Sequence, residues 1–450
     1  MHKYHFGGIL ADDMGLGKTL QMLTLLKSLK PKKPALVLCP RTLIYNWQEE
    51  ADKFFDDLKT LVYYGTPAER EEMRDDFSSY DLIISSYSTI SRDVEELNAE
   101  GKVFSISILD EAQHIKNHRT KRAKAVKNIE AESRLALTGT PLENSIEELW
   151  SIFDYLMPGY LGNYSYFRKE FITPISKNNE KEKLKELKER VAPFILRRRK
   201  EEVLKELPEK IINVHPVSMT QLQEDSYQTV LEEVRGELEE TVDQKGFNRS
   251  RINVLAALTK LRQICNHPSL VLGDEGNAHN SGKLEALREL LSDALSGGHK
   301  LIIFSQFVKM LKLIRNDLDQ QGINYRYLDG STRNRMERVK EFNSDPEIDV
   351  FLISLKAGGV GLNLTAADMV VHVDPWWNPM VERQATDRAH RLGQENRVMV
   401  YKMITRGTVE EKMLKLQQRK QDLFDNVIEN NVNPIKAISW EDIQDLLSYK

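Results

Sequence analysis

Apolar runs of strand length recur in two separate series along this 450-residue chain, each run followed by a helical pattern. The first series falls at residues 35–39, 82–85, 106–109 and 135–137, the second at 301–304, 350–354, 369–373 and 398–403. Short buried runs alternating with helices mark parallel sheets covered on both faces, because a parallel strand returns only through a long crossover. Two series predict two such sheets, an α/β fold of two doubly wound lobes with helical insertions between them. From about residue 142 to 280 strand runs are almost absent and helical stretches dominate, interrupted at Met157-Pro158-Gly159. The mixed-charge run 181–190 within that stretch reads as a solvated helix face.

The segment Ala11-Asp12-Asp13-Met14-Gly15-Leu16-Gly17-Lys18-Thr19 follows the apolar run Gly8-Ile9-Leu10 and opens a helical pattern. Gly15 and Gly17 let successive N–H groups close around phosphate oxygens, and the following helix offers its positive N-terminal end. Met14, Gly15, Leu16, Gly17, Lys18 and Thr19 are therefore expected to cradle a nucleoside triphosphate. Lys18 would reach the β and γ phosphates and Thr19 would ligate Mg2+. Asp12 stands where the G-x-x-x-x-G-K-[ST] pattern has its first glycine, so the loop needs support from elsewhere in the chain.

That support comes at later strand ends, where open α/β sheets place their working residues. Asp110-Glu111-Ala112-Gln113-His114 follows the run 106–109. Asp110 is expected to hold Mg2+ through water and Glu111 to orient and activate the attacking water; a helix cap is the structural alternative. Leu137-Thr138-Gly139-Thr140-Pro141 ends the next strand and is a candidate link from the nucleotide to a polymer site. In the second series, Gln384, Arg388 and Arg391 lie at i, i+4 and i+7, which on one helix share a face. Gly393 is the expected helix stop. Arginines delivered to a transferring phosphoryl group contribute ~10^3 to 10^5 in rate; the plainer alternative is a surface helix salt-bridged through Glu382 and Asp387.

Composition narrows the remaining classes. A 29% charged, 40% hydrophobic chain with net charge −4 is of soluble type and no polycation, although local Lys and Arg clusters still permit nucleic-acid contacts. No apolar stretch reaches the ~18 residues of a membrane span, and the start of the chain lacks a signal-peptide pattern. A cytoplasmic monomer without membrane contact is expected, nucleoid-associated if the source is bacterial. Cys39 and Cys265 suggest neither a disulfide framework nor a zinc cluster.

The order of these motifs resembles helicase superfamily two, and more narrowly the SWI/SNF-type (switch/sucrose-nonfermenting) ATPases. The narrower likeness is carried by Leu261-Arg262-Gln263-Ile264-Cys265-Asn266-His267-Pro268, by the segment from Leu355-Lys356-Ala357-Gly358-Gly359-Val360-Gly361 to Asp368, and by Asp374-Pro375-Trp376-Trp377-Asn378-Pro379. It covers roughly residues 7–415 and makes Cys265-Asn266-His267 a structural signature in place of half a metal site. It implies RecA-like lobes at 1–157 and 281–425. A helical protrusion and brace would occupy 158–210, a linker strand and second protrusion 211–280, and a helical tail 426–450. The family's adenine-recognising glutamine segment would lie upstream of residue 1, which suggests a fragment, and the short helical insertions without a bromodomain-like or chromodomain-like module favour a bacterial or archaeal-type member. Asp13 replaces the more common glutamate, a mild change.

The resemblance implies ATP hydrolysis with Mg2+, coupled to movement along double-stranded DNA without strand separation and with little base specificity. Nucleoprotein complexes or RNA polymerase are the implied targets, and Gly361 joins the nucleotide site. Candidate DNA contacts at strand ends are Arg41, Thr42, Ser86, Thr89, Gln306, Lys356, Gly358 and Gly359, of the kind that position a protein on phosphates without reading bases. Trp376 and Trp377 are assigned either to polymer or partner contact or to packing. The cluster Arg197-Arg198-Arg199-Lys200 is assigned to an interlobe brace or a phosphate contact. The competing classes are an RNA helicase of the same superfamily and a non-catalytic nucleotide-fold scaffold.

Overall fold

The computed structural model describes residues 6–139, 146–178, 180–204, 206–245, 247–273, 280–358, 362–391, 393–417 and 440–448. These form two compact units, the first ending at Leu204 and the second beginning at Glu206. The expected pair of doubly wound α/β sheets is present.

The first unit holds seven parallel strands: β1 (Gly8–Leu10), β2 (Ala35–Cys39), β3 (Thr60–Tyr63), β4 (Leu82–Ser86), β5 (Phe104–Asp110), β6 (Ala131–Leu137) and β7 (Ile195–Leu196). They lie in the order β3-β4-β2-β5-β6-β1-β7. Strands β2, β4 and β5 are buried at every position, as strands covered on both faces must be. Consecutive in the chain, β1 and β2 are separated in the sheet by β5 and β6. The helix α1 (Lys18–Leu29) therefore crosses over the motif-bearing strands.

The second unit holds six parallel strands: β8 (Lys210–Val217), β9 (Leu301–Ser305), β10 (Tyr325–Leu328), β11 (Val350–Ser354), β12 (Met369–His372) and β13 (Val398–Thr405), in the order β10-β11-β9-β12-β13-β8. Alternate residues feed separate cores. Leu301, Ile303, Val350, Leu352 and Val371 join one cluster, while Ile302, Phe304, Phe351, Ile353 and Val370 join the other.

Two of these strands correct the reading of residues 142–280 as nearly strand-free. β7 extends the first sheet beside β1, and β8 pairs with β13 over its whole length, from Lys210 opposite Val398 to Val217 opposite Thr405. The resemblance implies a linker strand here; the apolar-run reading passes over β8 because, as an edge strand, it leaves Ile211, Ile212 and Val214 exposed and tolerates Pro216, whose missing N–H needs no partner there. Two further strands absent from the reading, β3 and β10, are only half-buried; β10 is interrupted by Arg326, whereas β3 does carry the apolar run Leu61 to Tyr64.

The helices Gln221–Lys245 and Phe247–Asn266 share a core that includes Tyr227, Leu231, Leu258, Leu261 and Trp377. Below it a buried polar network fixes the end of β12. Lys283 Nζ donates to Glu410 (2.7 Å), to the Val373 carbonyl (2.7 Å) and to Asn266 Oδ1 (3.1 Å). Asn266 and Ser305 donate to the Asp374 carboxylate, and Arg262 to the Pro375 carbonyl. The signature 261–268 is thus a structural clamp. Lys283 and Glu410 are both fully buried, so Lys283→Met should cost about 3–5 kcal/mol by leaving Glu410 without its cation. Urea unfolding of the second unit checks this; a loss under 1 kcal/mol, roughly the worth of an exposed pair, would contradict it.

Cys39 and Cys265 are buried free thiols, and burial pushes both well above the usual thiol range. Among the described residues no helix is long and apolar enough to cross a membrane.

Candidate active site

Strand register brings the motifs of the first unit to one level. Asp110 lies opposite Leu137, Leu137 opposite Leu10, and Leu10 opposite Leu196. The residues that leave this row are Glu111, Thr138, Ala11 and Arg197, so the acidic pair, the threonine turn, the phosphate loop and the basic segment all emerge from one edge. Farther along the same edge Cys39 lies opposite Ser86, which places Arg41 and Thr42 just beyond.

The phosphate loop has the backbone its function needs. Gly15 (φ 87°) and Gly17 (φ 69°) adopt left-handed conformations that side chains resist. Helix α1 starts at Lys18 with no side-chain cap and no acidic residue in its first turn, which suits an anion. Lys18 Nζ donates to the carbonyls of Asp12 (2.6 Å) and Asp13 (3.2 Å), holding the ammonium over the loop. Thr19 sits in the first turn and Leu16 is buried.

Asp12 is fully buried and heavily bonded. Its carboxylate accepts from the Arg198 backbone N–H (3.0 Å), from Arg198 Nε (3.1 Å) and Nη2 (2.5 Å), and from Gln21 Nε2 (3.1 Å). Gln21 also donates to the Leu16 carbonyl at 2.9 Å, closing a brace across the loop. The ladder between β1 and β7 runs on through Ala11 N–H to Leu196 O (2.7 Å) and Asp13 N–H to Arg198 O (3.1 Å). The departure from the glycine consensus is therefore a carboxylate anchored by the basic cluster. Arg198 braces the phosphate loop within the first unit.

Asp110 ends β5 buried, accepting from Trp47 Nε1 (2.8 Å) through its carboxylate and from Tyr87 OH (2.7 Å) through its carbonyl. Burial, reinforced by the neighbouring Glu111 charge, pushes its pKa up to about 7. A divalent cation reverses that balance by favouring the carboxylate. A threonine hydroxyl, a buried carboxylate and an uncapped helix start fit a nucleotide with its Mg2+.

Glu111 has a left-handed backbone (φ 54°, ψ 57°), a conformation costing a non-glycine residue about 1–3 kcal/mol. Its carboxylate accepts from Gln113 Nε2 at 2.7 Å, and Gln113 Oε1 accepts from Thr138 Oγ1 at 3.3 Å. Gln113, Trp47, Gln21 and Arg198 were absent from the sequence-derived site. Only Arg198, within a basic cluster, and Gln113, beside the acidic pair, carried a local signal.

In the second unit the expected shared helix face is corrected. The helix Pro379–Thr386 ends before either arginine. Gln384 lies on it, whereas buried Arg388 and half-buried Arg391 follow in tight turns, with Arg388 N–H bonded to Ala385 O and His390 N–H to Thr386 O. Gly393, at φ 95°, ends these turns and caps no helix. Gln394 Nε2 secures the segment through the carbonyls of Thr365 (3.1 Å), Ala367 (2.8 Å) and Ala389 (3.1 Å). The i+4, i+7 spacing misled because the bonds from Arg388 N–H to Ala385 O and from Ala389 N–H to Thr386 O, each spanning three residues, tighten the chain after Thr386.

The candidate DNA contacts divide. Arg41 and Thr42 are exposed beyond β2, Arg41 resting over Tyr64, and Lys356 is exposed beyond β11. Ser86 and Thr89 are buried and capping the helix Tyr87–Ala99, Ser86 Oγ accepting from Thr89 N–H at 3.0 Å, so their side chains are no surface contacts. Gly358 is buried, and a Cβ there would meet Phe304 at 2.7 Å; the glycine serves close packing. Gln306 begins beyond β9 with its N–H bonded to Asp374 (3.1 Å), and its side-chain nitrogen is buried. Trp376 packs half-buried on the second-sheet core, and Trp377 is buried in the helical core, which favours packing for both. Gly359 and Gly361 lie outside the described residues.

Paired parallel sheets, a braced phosphate loop and an acidic pair at the same sheet edge define an ATPase of the two-lobed helicase kind. The chain matches the SNF2-related domain over residues 1–270 and the helicase conserved C-terminal domain over residues 282–393. It is 37% identical to the TATA-binding protein-associated factor MOT1 of Saccharomyces cerevisiae across 99% of this chain and 28% of that protein. It is 38% identical to YwqA of Bacillus subtilis, named for ATP-dependent helicase/translocase activity, across 98% of this chain and 49% of the relative. It shares 37% identity with the Sulfolobus solfataricus SWI2/SNF2 ATPase core solved with dsDNA, covering 100% of this chain and 94% of that one at a TM-score of 0.47. The chain belongs to the SNF2-related family of ATPases. It spans 28% and 49% of the two curated relatives' lengths.

Proposed function

We propose that this chain is an ATP-dependent double-stranded DNA translocase that couples ATP hydrolysis to movement along duplex DNA and remodels nucleoprotein. The observation that carries the reading is the common sheet edge: the phosphate loop and acidic pair leave one half of it, exposed Arg41 and Thr42 the other. Bound ATP supplies a transferable phosphoryl group. Lys18 and the N–H groups of Gly15 to Thr19 bind its phosphates, Thr19 and Asp110 hold Mg2+, and Glu111 takes a proton from the attacking water. Arg388 and Arg391 stabilise charge on the transferring group, and Gln384 orients there. Arg41, Thr42 and Lys356 hold phosphates of the track without reading bases. The proposed site of action is the cytoplasm, at the nucleoid if the source is bacterial. A relative named as a TATA-binding protein-associated factor supports a nucleoprotein target.

Phosphate release measured with no polymer, single-stranded DNA, duplex DNA and RNA tests the proposal. Duplex DNA should stimulate most; stimulation by RNA alone would replace it with an RNA helicase. Lys18→Ala should abolish binding of a fluorescent ADP analogue. Trp47→Phe, which removes the hydrogen bond to the Asp110 carboxylate, should raise the Mg2+ concentration for half-maximal turnover by about 10- to 100-fold. An unchanged Mg2+ requirement would show Trp47 to be packing alone.

A further inference from the structure

We propose that the segment from Ile195 to Lys210 is a strap joining the phosphate loop to the arginine-bearing turns, with Arg198 the positioning residue at its first anchor. This rests on the ATPase reading above but assigns a new role to the stretch connecting the two units.

The first anchor lies in the first unit. β7 runs beside β1, and where β1 gives way to the phosphate loop the pairing continues: Arg198 N–H and guanidinium hold Asp12, and Lys200 N–H donates to Asp13 Oδ2 at 3.1 Å. Asp12 has no solvent exposure, and this arginine is the cation paired with it. Gln21 bonds Arg198, Asp12 and Leu16 together, so a shift of the strap moves both ends of the loop. The second anchor lies in the second unit, a short stretch later. His390 Nε2 donates to the Pro208 carbonyl at 2.8 Å, and Lys210 Nζ lies 3.7 Å from Asp387 Oδ1. Asp387 immediately precedes Arg388 and His390 immediately precedes Arg391. The strap is thus fastened at one end to the loop that binds phosphate, and at the other to the turns whose arginines complete the chemistry. Only the stretch from Lys200 to Pro208 separates the fastenings. Its length limits how far the loop and the turns can move apart, and a change in the loop pulls first on Arg198.

Two experiments on the full chain test this. In a cycle of Asp12→Gly, Arg198→Ala and the double variant, affinity for a fluorescent ADP analogue is measured beside the melting temperature. Arg198→Ala alone should weaken affinity about 10-fold or more, whereas in the Asp12→Gly background it should add little, because Arg198 acts through Asp12. Additive losses, or no loss, overturn the first anchor; if Arg198→Ala fails to fold, a foldable double variant with the affinity of Asp12→Gly supports it. In the second experiment, Gly-Ser-Gly is inserted after Leu204, lengthening the strap while sparing both anchors. ADP-analogue affinity and melting temperature should hold, and kcat in saturating duplex DNA should fall about 10-fold or more, as when coupling between parts of one network is lost. Unchanged kcat overturns the strap. A wild-type chain that hydrolyses ATP without duplex stimulation would refute the translocase reading instead, and the insertion is then judged on basal kcat.

Discussion

Arg391→Ala should lower ATP turnover by about 10^3- to 10^5-fold while leaving ADP-analogue binding within a few-fold of wild type, the division expected of an arginine that meets only the developing charge. The nucleotide's ground-state contacts are assigned to the phosphate loop of the first unit. Arg391 stands in a turn fixed by Gln394 and by the bond from Leu364 N–H to Arg388 O, so its removal should not disturb the fold. Single-turnover phosphate release, with binding measured separately, distinguishes the outcomes. Normal turnover in Arg391→Ala would remove the arginine from the mechanism. Equal losses of binding and turnover would make it a ground-state contact.

Glu111→Gln should reduce turnover about 10^2- to 10^4-fold, the usual contribution of a general base, and leave ATP trapped unhydrolysed. The amide preserves shape and can still bond Gln113, so the left-handed backbone at Glu111 should persist. Thermal melts should change little, because the conformational cost at this residue is carried by the backbone. ATP retained on the variant after rapid gel filtration, alongside free phosphate from wild type, is the expected pattern. Rapid hydrolysis by Glu111→Gln would transfer the base to another residue.

The fold was legible where burial is complete. β2, β4, β5, β9 and β11 are covered on both faces, so their sequences are apolar, broken or ended only by small serines, Cys39 and the Asp110 that opens the acidic pair. The edge strand β8 shows no apolar run because most of its residues meet water, so it was legible only as the linker strand that the resemblance implied, and two-residue β7 has no periodicity to detect. Local motifs showed the phosphate loop and acidic pair, since backbone needs restrict Gly15 and Gly17, and strand ends restrict Asp110. Contacts made at long range left no such trace. Nothing near Trp47 in sequence announces its bond to Asp110, and the pairing of Asp12 with Arg198 follows only from β7 lying beside β1. The arginine turns misled in the opposite sense: regular spacing suggested a helix that local tightening ends at Thr386.

The two native thiols are shielded and hard to ionise, which makes the chain nearly inert to maleimide dyes while folded. Ser79 and Ser296, exposed just ahead of β4 and β9, sit away from the strand ends that carry the motifs. Cysteines placed there would accept a fluorophore pair, one on each unit, without removal of Cys39 or Cys265, so that the motion proposed for the translocase could be read optically.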